Sequence, residues 1–140
     1  MYQINFNSVV PIYEQIVRQA RLFIASGALP EGSLIPSVRE TAKSLAINPQ
    51  TVVKAYMFLK NDGLIQSVRG QGFVVSPGSQ ERCRHIRLSF FQERLEETIR
   101  EAVVGKTPLD EIRASFEAAL KKVVADYQPE THDADANGGM

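Results

Sequence analysis

The chain has 140 residues, of which 44% are hydrophobic and 23% charged, and its 16 basic and 16 acidic side chains give a formal net charge of zero. This length fits one ordinary domain with at most a small appendage, and it excludes a catalytic scaffold such as a TIM barrel of about 250 residues. No apolar run approaches the roughly 18 residues of a membrane span, and the N-terminus lacks the pattern of a secretory signal. Because its one cysteine, Cys83, permits no internal disulfide, we expect a cytoplasmic protein.

The charges are distributed unevenly along the chain. Residues 1–77 carry seven basic and four acidic side chains, residues 78–127 carry nine of each, and residues 128–140 carry three acidic side chains and no Lys or Arg. A basic excess of this size permits binding to a polyanion without requiring it. The last segment has almost nothing to bury, so we expect residues 128–140 to form a disordered tail.

The sequence begins with two predicted helices. Apolar residues at three- and four-residue spacing predict a first helix over 11–26, which Gly27 ends. A turn with proline and glycine is predicted over 28–35. The capping box formed by Ser37 and Glu40 then predicts a short second helix over 38–45.

A third helix and a β-hairpin are predicted next. Asn48 is a favourable N-cap and Pro49 a favourable first helical residue, which together predict a helix over 49–62. Two β-rich runs within 64–75 flank a glycine-containing loop and predict the hairpin. Residues 77–79 predict a linker between a first domain, 1–77, and a second, 78–127.

The second half predicts two helices that carry apolar stripes and are separated at Gly105. A pair of helices this short has too little core to stand alone, so we expect it to bury its stripes against a second copy of the chain. The alternative is that the pair folds back on its own first domain. The residues expected in the dimer interface are Leu88, Phe91, Leu95, Ile99, Ile112, Phe116, Leu120 and Val123.

Three helices followed by a hairpin form the order of a winged helix-turn-helix domain, so the predicted fold is mainly α with a small β-hairpin. On a helical wheel, Val52 and Leu59 lie on the buried side of the third helix, whereas Gln50 and Lys54 point outward. Polar side chains on the outward N-terminal end can reach base edges in a major groove. The same face is also compatible with a helix that is only solvated, or with a winged helix that binds proteins rather than DNA.

Five segments of the first domain also match a known family in its order: PIYEQI (11–16), IASGALPEG (24–32), IPSVRE (35–40), NPQTVVKAY (48–56) and GLI to RGQGFV (63–74). In these segments the chain resembles the DNA-binding domain of the GntR family of bacterial transcription regulators. Its short helical C-terminal part resembles the YtrA-type subfamily, which implies a C-terminal dimerisation module. No length remains for a large ligand-binding or aminotransferase-like domain, so we expect no pyridoxal phosphate and no other cofactor.

The resemblance implies a set of DNA-contacting residues on the second helix, the third helix and the wing. Pro49 and Val53 stand where several family members carry arginine, so these two positions are not expected to read guanine. Three of the predicted contacts have simpler alternatives, since Arg39 could be an ion-pair partner of Asp62 or Glu40, and Arg69 and Lys54 could be ordinary solvated charges. The set comprises Ser37, Arg39, Asn48, Gln50, Thr51, Lys54, Arg69, Gly70, Gln71 and Gly72.

Other features carry weaker signals. Met57 and Phe58 lie off the core stripe, and we expect them to pack against the C-terminal helices or a partner subunit. Residues 82–87 are basic and favour a linker. His85 and Cys83 lack a recognisable ligand set, so no metal site and no catalytic cluster is predicted. The sequence therefore predicts a homodimeric, sequence-specific repressor of transcription, with an unidentified small-molecule effector left open.

Overall fold

The computed structural model describes residues 1–127, and the predicted tail over 128–140 lies outside this range. The chain packs as two units, one over Met1–Phe91 and one that begins at Gln92. Among the described residues, no helix is both long and apolar enough to cross a membrane. The elements in chain order are α1 (Ile12–Ser26), α2 (Val38–Leu45), α3 (Pro49–Asn61), β1 (Ile65–Val68), β2 (Gly72–Val75), α4 (Ser79–Val104) and α5 (Leu109–Asp126).

Local signals set the ends of the first three helices. Gly27 ends α1 in the left-handed conformation with φ of 85°, which a residue without Cβ adopts at little cost. The hydroxyl oxygen of Ser37 accepts the Glu40 N–H at 3.1 Å and starts α2. The side-chain oxygen of Asn48 accepts the Gln50 N–H at 2.9 Å and starts α3. The three predicted helices are therefore confirmed to within a residue or so at each end.

The core of the first unit lies where α1 and α2 pack against α3. Tyr56 of α3 is fully buried, and its hydroxyl donates to the Pro36 carbonyl at 2.7 Å. The hydroxyls of Thr41 and Tyr2 lie 3.2 Å and 3.4 Å from the same oxygen. The buried side of α3 is the predicted one and comprises Val52, Ala55, Tyr56 and Leu59.

The wing is larger than the sequence predicts. β1 and β2 pair antiparallel, with Ile65 opposite Val75. The segment 28–35, predicted as a turn, also contributes, because Leu34 forms an antiparallel bridge with Val74. The Ile35 N–H donates to the Phe73 carbonyl at 3.0 Å on the same side of β2. The turn prediction is therefore wrong at its C-terminal end, where the backbone satisfies its hydrogen bonds on the edge of β2.

The predicted linker over 82–87 is wrong, because these residues lie within α4, and the linker predicted over 77–79 corresponds to residues 76–78, which connect β2 to α4. Ser79 begins α4, and its hydroxyl donates to the Leu64 carbonyl at 2.9 Å. Cys83, one turn later, is fully buried in the core of the first unit. Small side chains four residues apart lie on one helix face, which lets the start of α4 pack closely. Whether 1–77 and 78–127 are the functional divisions stays a prediction.

Candidate nucleic-acid interface

The N-terminal end of α3 presents polar side chains to solvent. Asn48 and Gln50 are exposed and Thr51 is half-buried, while Val52 next to them is fully buried. Because Pro49 occupies the first helical position and Asn48 caps the helix, this end is held in a defined geometry. The arrangement can offer amide and hydroxyl groups, together with backbone N–H groups, to a ligand with acceptor oxygens.

Arg39 is an exposed cation in the first turn of α2. The alternative that Arg39 pairs with Asp62 or Glu40 is wrong: Asp62 pairs with Arg21 of α1, and Arg39 forms no ion pair within residues 1–127. Lys43 lies one turn further along α2 and is also exposed. The sequence prediction omitted Lys43, although the four-residue spacing from Arg39 places both cations on the same helix face.

The predicted wing tip is exposed along its whole length, from Arg69 to Gly72. The Gln71 N–H donates to the Val68 carbonyl at 3.0 Å and closes the turn. Gly70 and Gly72 have φ of 80° and 113°, and apart from the glycine itself and its two chain neighbours, no heavy atom lies within 4 Å of the position a Cβ would occupy. At these two glycines the tip therefore exposes bare backbone to open space, which another surface can approach closely.

Lys54 is exposed on α3 but its ammonium has a defined neighbour. Its Nζ lies 4.1 Å from the centroid of the Tyr13 ring. Tyr13 in turn stacks on Phe58, with ring centroids 5.4 Å apart and planes 17° apart. The ring of Phe58 therefore packs on α1 of the same unit, and whether Met57 and Phe58 also contact the C-terminal helices or a partner subunit stays a prediction. Phe58 is still 46% exposed and Met57 is 36% exposed.

Ser37 and Cys83 have structural roles in the chain. Ser37 caps α2 through its hydroxyl oxygen. Burial raises the pKa of the Cys83 thiol and keeps it protonated, which opposes reaction or metal binding. Within residues 1–127, no three His, Cys, Asp or Glu side chains gather in a way that could hold a metal ion.

The residues predicted for the dimer interface are largely uncovered in the single chain. Leu95 and Ile112 are half-buried and the other six are exposed, from 38% for Ile99 to 61% for Val123. No side chain of α5 is buried. Exposed stripes of this length leave a large apolar area in contact with water, which soluble chains normally cover.

Three helices, the third with a capped and exposed N-terminal end, are followed by a β-wing. This order defines a winged helix-turn-helix DNA-binding domain. Residues 12–75 match the family described as bacterial regulatory proteins, gntR family. The chain is 34% identical over 128 residues to the HTH-type transcriptional repressor YtrA of Bacillus subtilis (strain 168), an alignment that covers 91% of this chain and 95% of that relative.

Solved structures agree with this relationship. A GntR family transcriptional regulator from Listeria monocytogenes superposes with a TM-score of 0.70 at 29% identity, covering 81% of this chain and 98% of that one. A transcriptional regulator from Oenococcus oeni superposes with a TM-score of 0.71 at 25% identity, covering 86% and 99%. The chain belongs to the GntR family and is a DNA-binding transcriptional regulator.

Proposed function

We propose that the protein represses transcription by binding a pseudo-palindromic operator as a homodimer in the bacterial cytoplasm. The observation that carries this proposal is the exposed polar end of α3, together with an exposed Arg39 that forms no ion pair within residues 1–127 and a wing tip with two open glycines. These are the three parts of a winged helix that meet the major groove, the phosphates and the minor groove. A relative that aligns over nearly its whole length is named a repressor, which favours repression over activation.

Within this proposal the residues divide by role. Gln50 and Thr51 read base edges, and Asn48 contributes through the amide group that its cap does not use. Arg39 and Lys54 contact phosphates or the edge of the groove. Ser37 approaches the DNA backbone at the N-terminus of α2, which its hydroxyl caps. The wing from Arg69 to Gly72 enters the minor groove. None of these roles requires catalysis, so the protein acts by occupancy rather than by turnover.

The uncovered apolar stripes of the C-terminal helices support homodimerisation. Leu120 and Phe116 of α5 are 49% and 42% exposed, and burying such side chains stabilises an interface by about 25 cal/mol per Å². A two-fold dimer presents two reading helices about 34–36 Å apart, which matches half-sites one helical turn apart on the DNA.

Fluorescence anisotropy with selected DNA tests this function. Duplexes are first enriched by the wild-type protein from a random pool, and a scrambled duplex of the same composition is the comparison. Arg39→Gln is expected to weaken binding about tenfold and to reduce the salt slope by about 0.9, because one phosphate contact is lost. Arg18→Gln removes an exposed arginine that pairs with Glu14 on α1 and serves as the matched control.

The outcomes are distinct. Preference for the selected duplex, with a loss in Arg39→Gln but not in Arg18→Gln, supports the proposal. Equal binding to selected and scrambled DNA contradicts sequence-specific recognition. No binding to either duplex favours a winged helix that recognises a protein.

A further inference from the structure

Lys54, Tyr13 and Phe58 form a continuous stack between α3 and α1. The Lys54 Nζ lies 4.1 Å from the Tyr13 ring centroid, within the range of a cation–π interaction. Tyr13 packs nearly parallel to Phe58 at 5.4 Å. Lys54 and Phe58 are four residues apart, so they are neighbours on one face of α3 and both reach the same α1 ring.

The stack fixes the ammonium without neutralising it. Lys54 has no carboxylate within ion-pair distance among residues 1–127, so no ion pair there competes with a phosphate for its ammonium. An ammonium has three N–H donors, and a ring face engages only one side of the group. A lysine side chain with no fixed neighbour loses substantial rotamer freedom when it binds a phosphate. A lysine side chain already held over a ring loses less.

The position of Lys54 connects this stack to the candidate interface. Lys54 lies one helical turn beyond Gln50 on the same face of α3, and both side chains are exposed. The ring that holds Lys54 comes from Tyr13, near the N-terminus of α1 and about forty residues earlier in the chain. The ammonium is therefore held beside the proposed base-reading residues by α1, a helix that contributes no base-reading residue of its own.

We propose that Tyr13 is a positioning residue for DNA binding, whose ring, supported by Phe58, holds the Lys54 ammonium ready for a DNA phosphate. This inference rests on the proposed function, because it assigns a phosphate to Lys54. It adds a residue from α1 that acts through Lys54 rather than by touching the DNA. Its signature is energetic coupling between Tyr13 and Lys54 in DNA affinity.

A double-mutant cycle on the full chain tests the coupling, with the duplex enriched by the wild-type protein as the probe. Tyr13→Leu keeps an apolar side chain in place but removes the ring, and Tyr13→Phe keeps the ring. Tyr13→Leu is expected to weaken binding about three- to fivefold when Lys54 is present, as an exposed cation–π contact allows. In a Lys54→Gln background the same change is expected to have almost no effect, and Tyr13→Phe is expected to bind like wild type.

Each contrary result has its own meaning. An equal loss on Tyr13→Leu in both backgrounds shows that Tyr13 acts through the fold, and urea unfolding of the same variants would show the matching loss of stability. Tighter binding by Tyr13→Leu shows that the ring withholds Lys54 from DNA. Wild-type affinity in Lys54→Gln, with weakened binding in Arg39→Gln, overturns the positioning role alone. Failure of the wild-type protein to prefer selected over scrambled DNA overturns the proposed function as well.

Discussion

The hydroxyl of Tyr56 on α3 donates a hydrogen bond to the carbonyl oxygen of Pro36, which immediately precedes the cap of α2, across 2.7 Å. Thr41 of α2 places its own hydroxyl 3.2 Å from the same phenol oxygen. One buried side chain of α3 thus forms hydrogen bonds with both the entry to α2 and its first turn. The angle between α2 and α3 depends on this contact as well as on apolar packing.

Tyr56→Phe is expected to lower the free energy of unfolding by about 1–3 kcal/mol, because the Pro36 carbonyl loses its donor in a largely dry site. Urea unfolding followed by circular dichroism measures the change. Tyr13→Phe is the matched control, since it removes a hydroxyl from a half-buried ring that makes no hydrogen bond within residues 1–127, and it should cost less than about 0.5 kcal/mol. Equal effects of the two variants would contradict the assigned role of Tyr56.

Alkaline pH should destabilise the same network. Burial raises the pKa of Tyr2 and of Tyr56 above the ordinary value of 10.0. A group whose pKa is higher in the folded state contributes its full stability below the unfolded pKa and loses it as pH rises toward the folded pKa. Between about pH 10 and pH 11, each such tyrosine should lower the unfolding free energy by up to about 1.4 kcal/mol per pH unit.

Tyr2→Phe removes one of the two buried phenols, so the unfolding free energy should fall less steeply with pH than in the wild type. Urea unfolding at a series of pH values measures this dependence. Tyr127→Phe removes an exposed hydroxyl that lies outside this network and is the matched control. A Tyr2→Phe profile that is parallel to wild type above pH 10 would count against the buried position of Tyr2 in this network.

Gly70→Asn tests close approach of the wing to DNA. Asparagine tolerates the left-handed conformation, and open space surrounds the new side chain, so the unfolding free energy should change by less than about 1 kcal/mol. Affinity for the selected duplex should fall about fivefold to tenfold, because a side chain replaces bare backbone at the groove.

Gly32→Asn is the matched control for the wing, since Gly32 also has a positive φ of 82° and open space but lies outside the predicted contacts. Gly32→Asn should leave DNA affinity unchanged as measured by anisotropy. If both variants bind equally, whether weakly or well, the wing tip does not approach the DNA as proposed.

Leu120→Glu tests the dimer. A charge in the α5 stripe should raise the dimer dissociation constant at least about a hundredfold, because an unpaired carboxylate would be buried in the interface. Sedimentation velocity measures the association. Leu22→Glu is the matched control, since Leu22 of α1 is 46% exposed and Leu120 is 49% exposed. Equal sedimentation of the two variants would show that this stripe does not form the interface.

The sequence predicts the helices of the first unit because their boundary signals are local. Ser37 and Glu40 are three residues apart, and Asn48 caps a helix that starts at the next residue. Periodicity also identifies Val52 and Leu59 as core, since a single helix geometry determines both. The same local logic predicts the exposed polar end of α3 and the glycine-containing wing tip.

Contacts between distant residues account for what the sequence does not predict. Leu34 joins the wing because Val74, forty residues later, offers an unpaired strand edge. A proline and a glycine before Ser79 indicate a linker. However, Cys83 packs into the core of the first unit, and the segment from Ser79 onward is helical. A helical wheel directs Lys54 outward, yet it cannot show that a ring from α1 lies beneath the ammonium.

The carbonyl of Leu64 accepts two hydrogen bonds, from the Ser76 N–H and from the Ser79 hydroxyl, each at 2.9 Å. Leu64 precedes β1 and Ser79 begins α4, so a hydrogen bond to one carbonyl oxygen links the base of the wing to the start of α4. Rotation of the first turn of α4 relative to the base of the hairpin would therefore break at least one of these two hydrogen bonds.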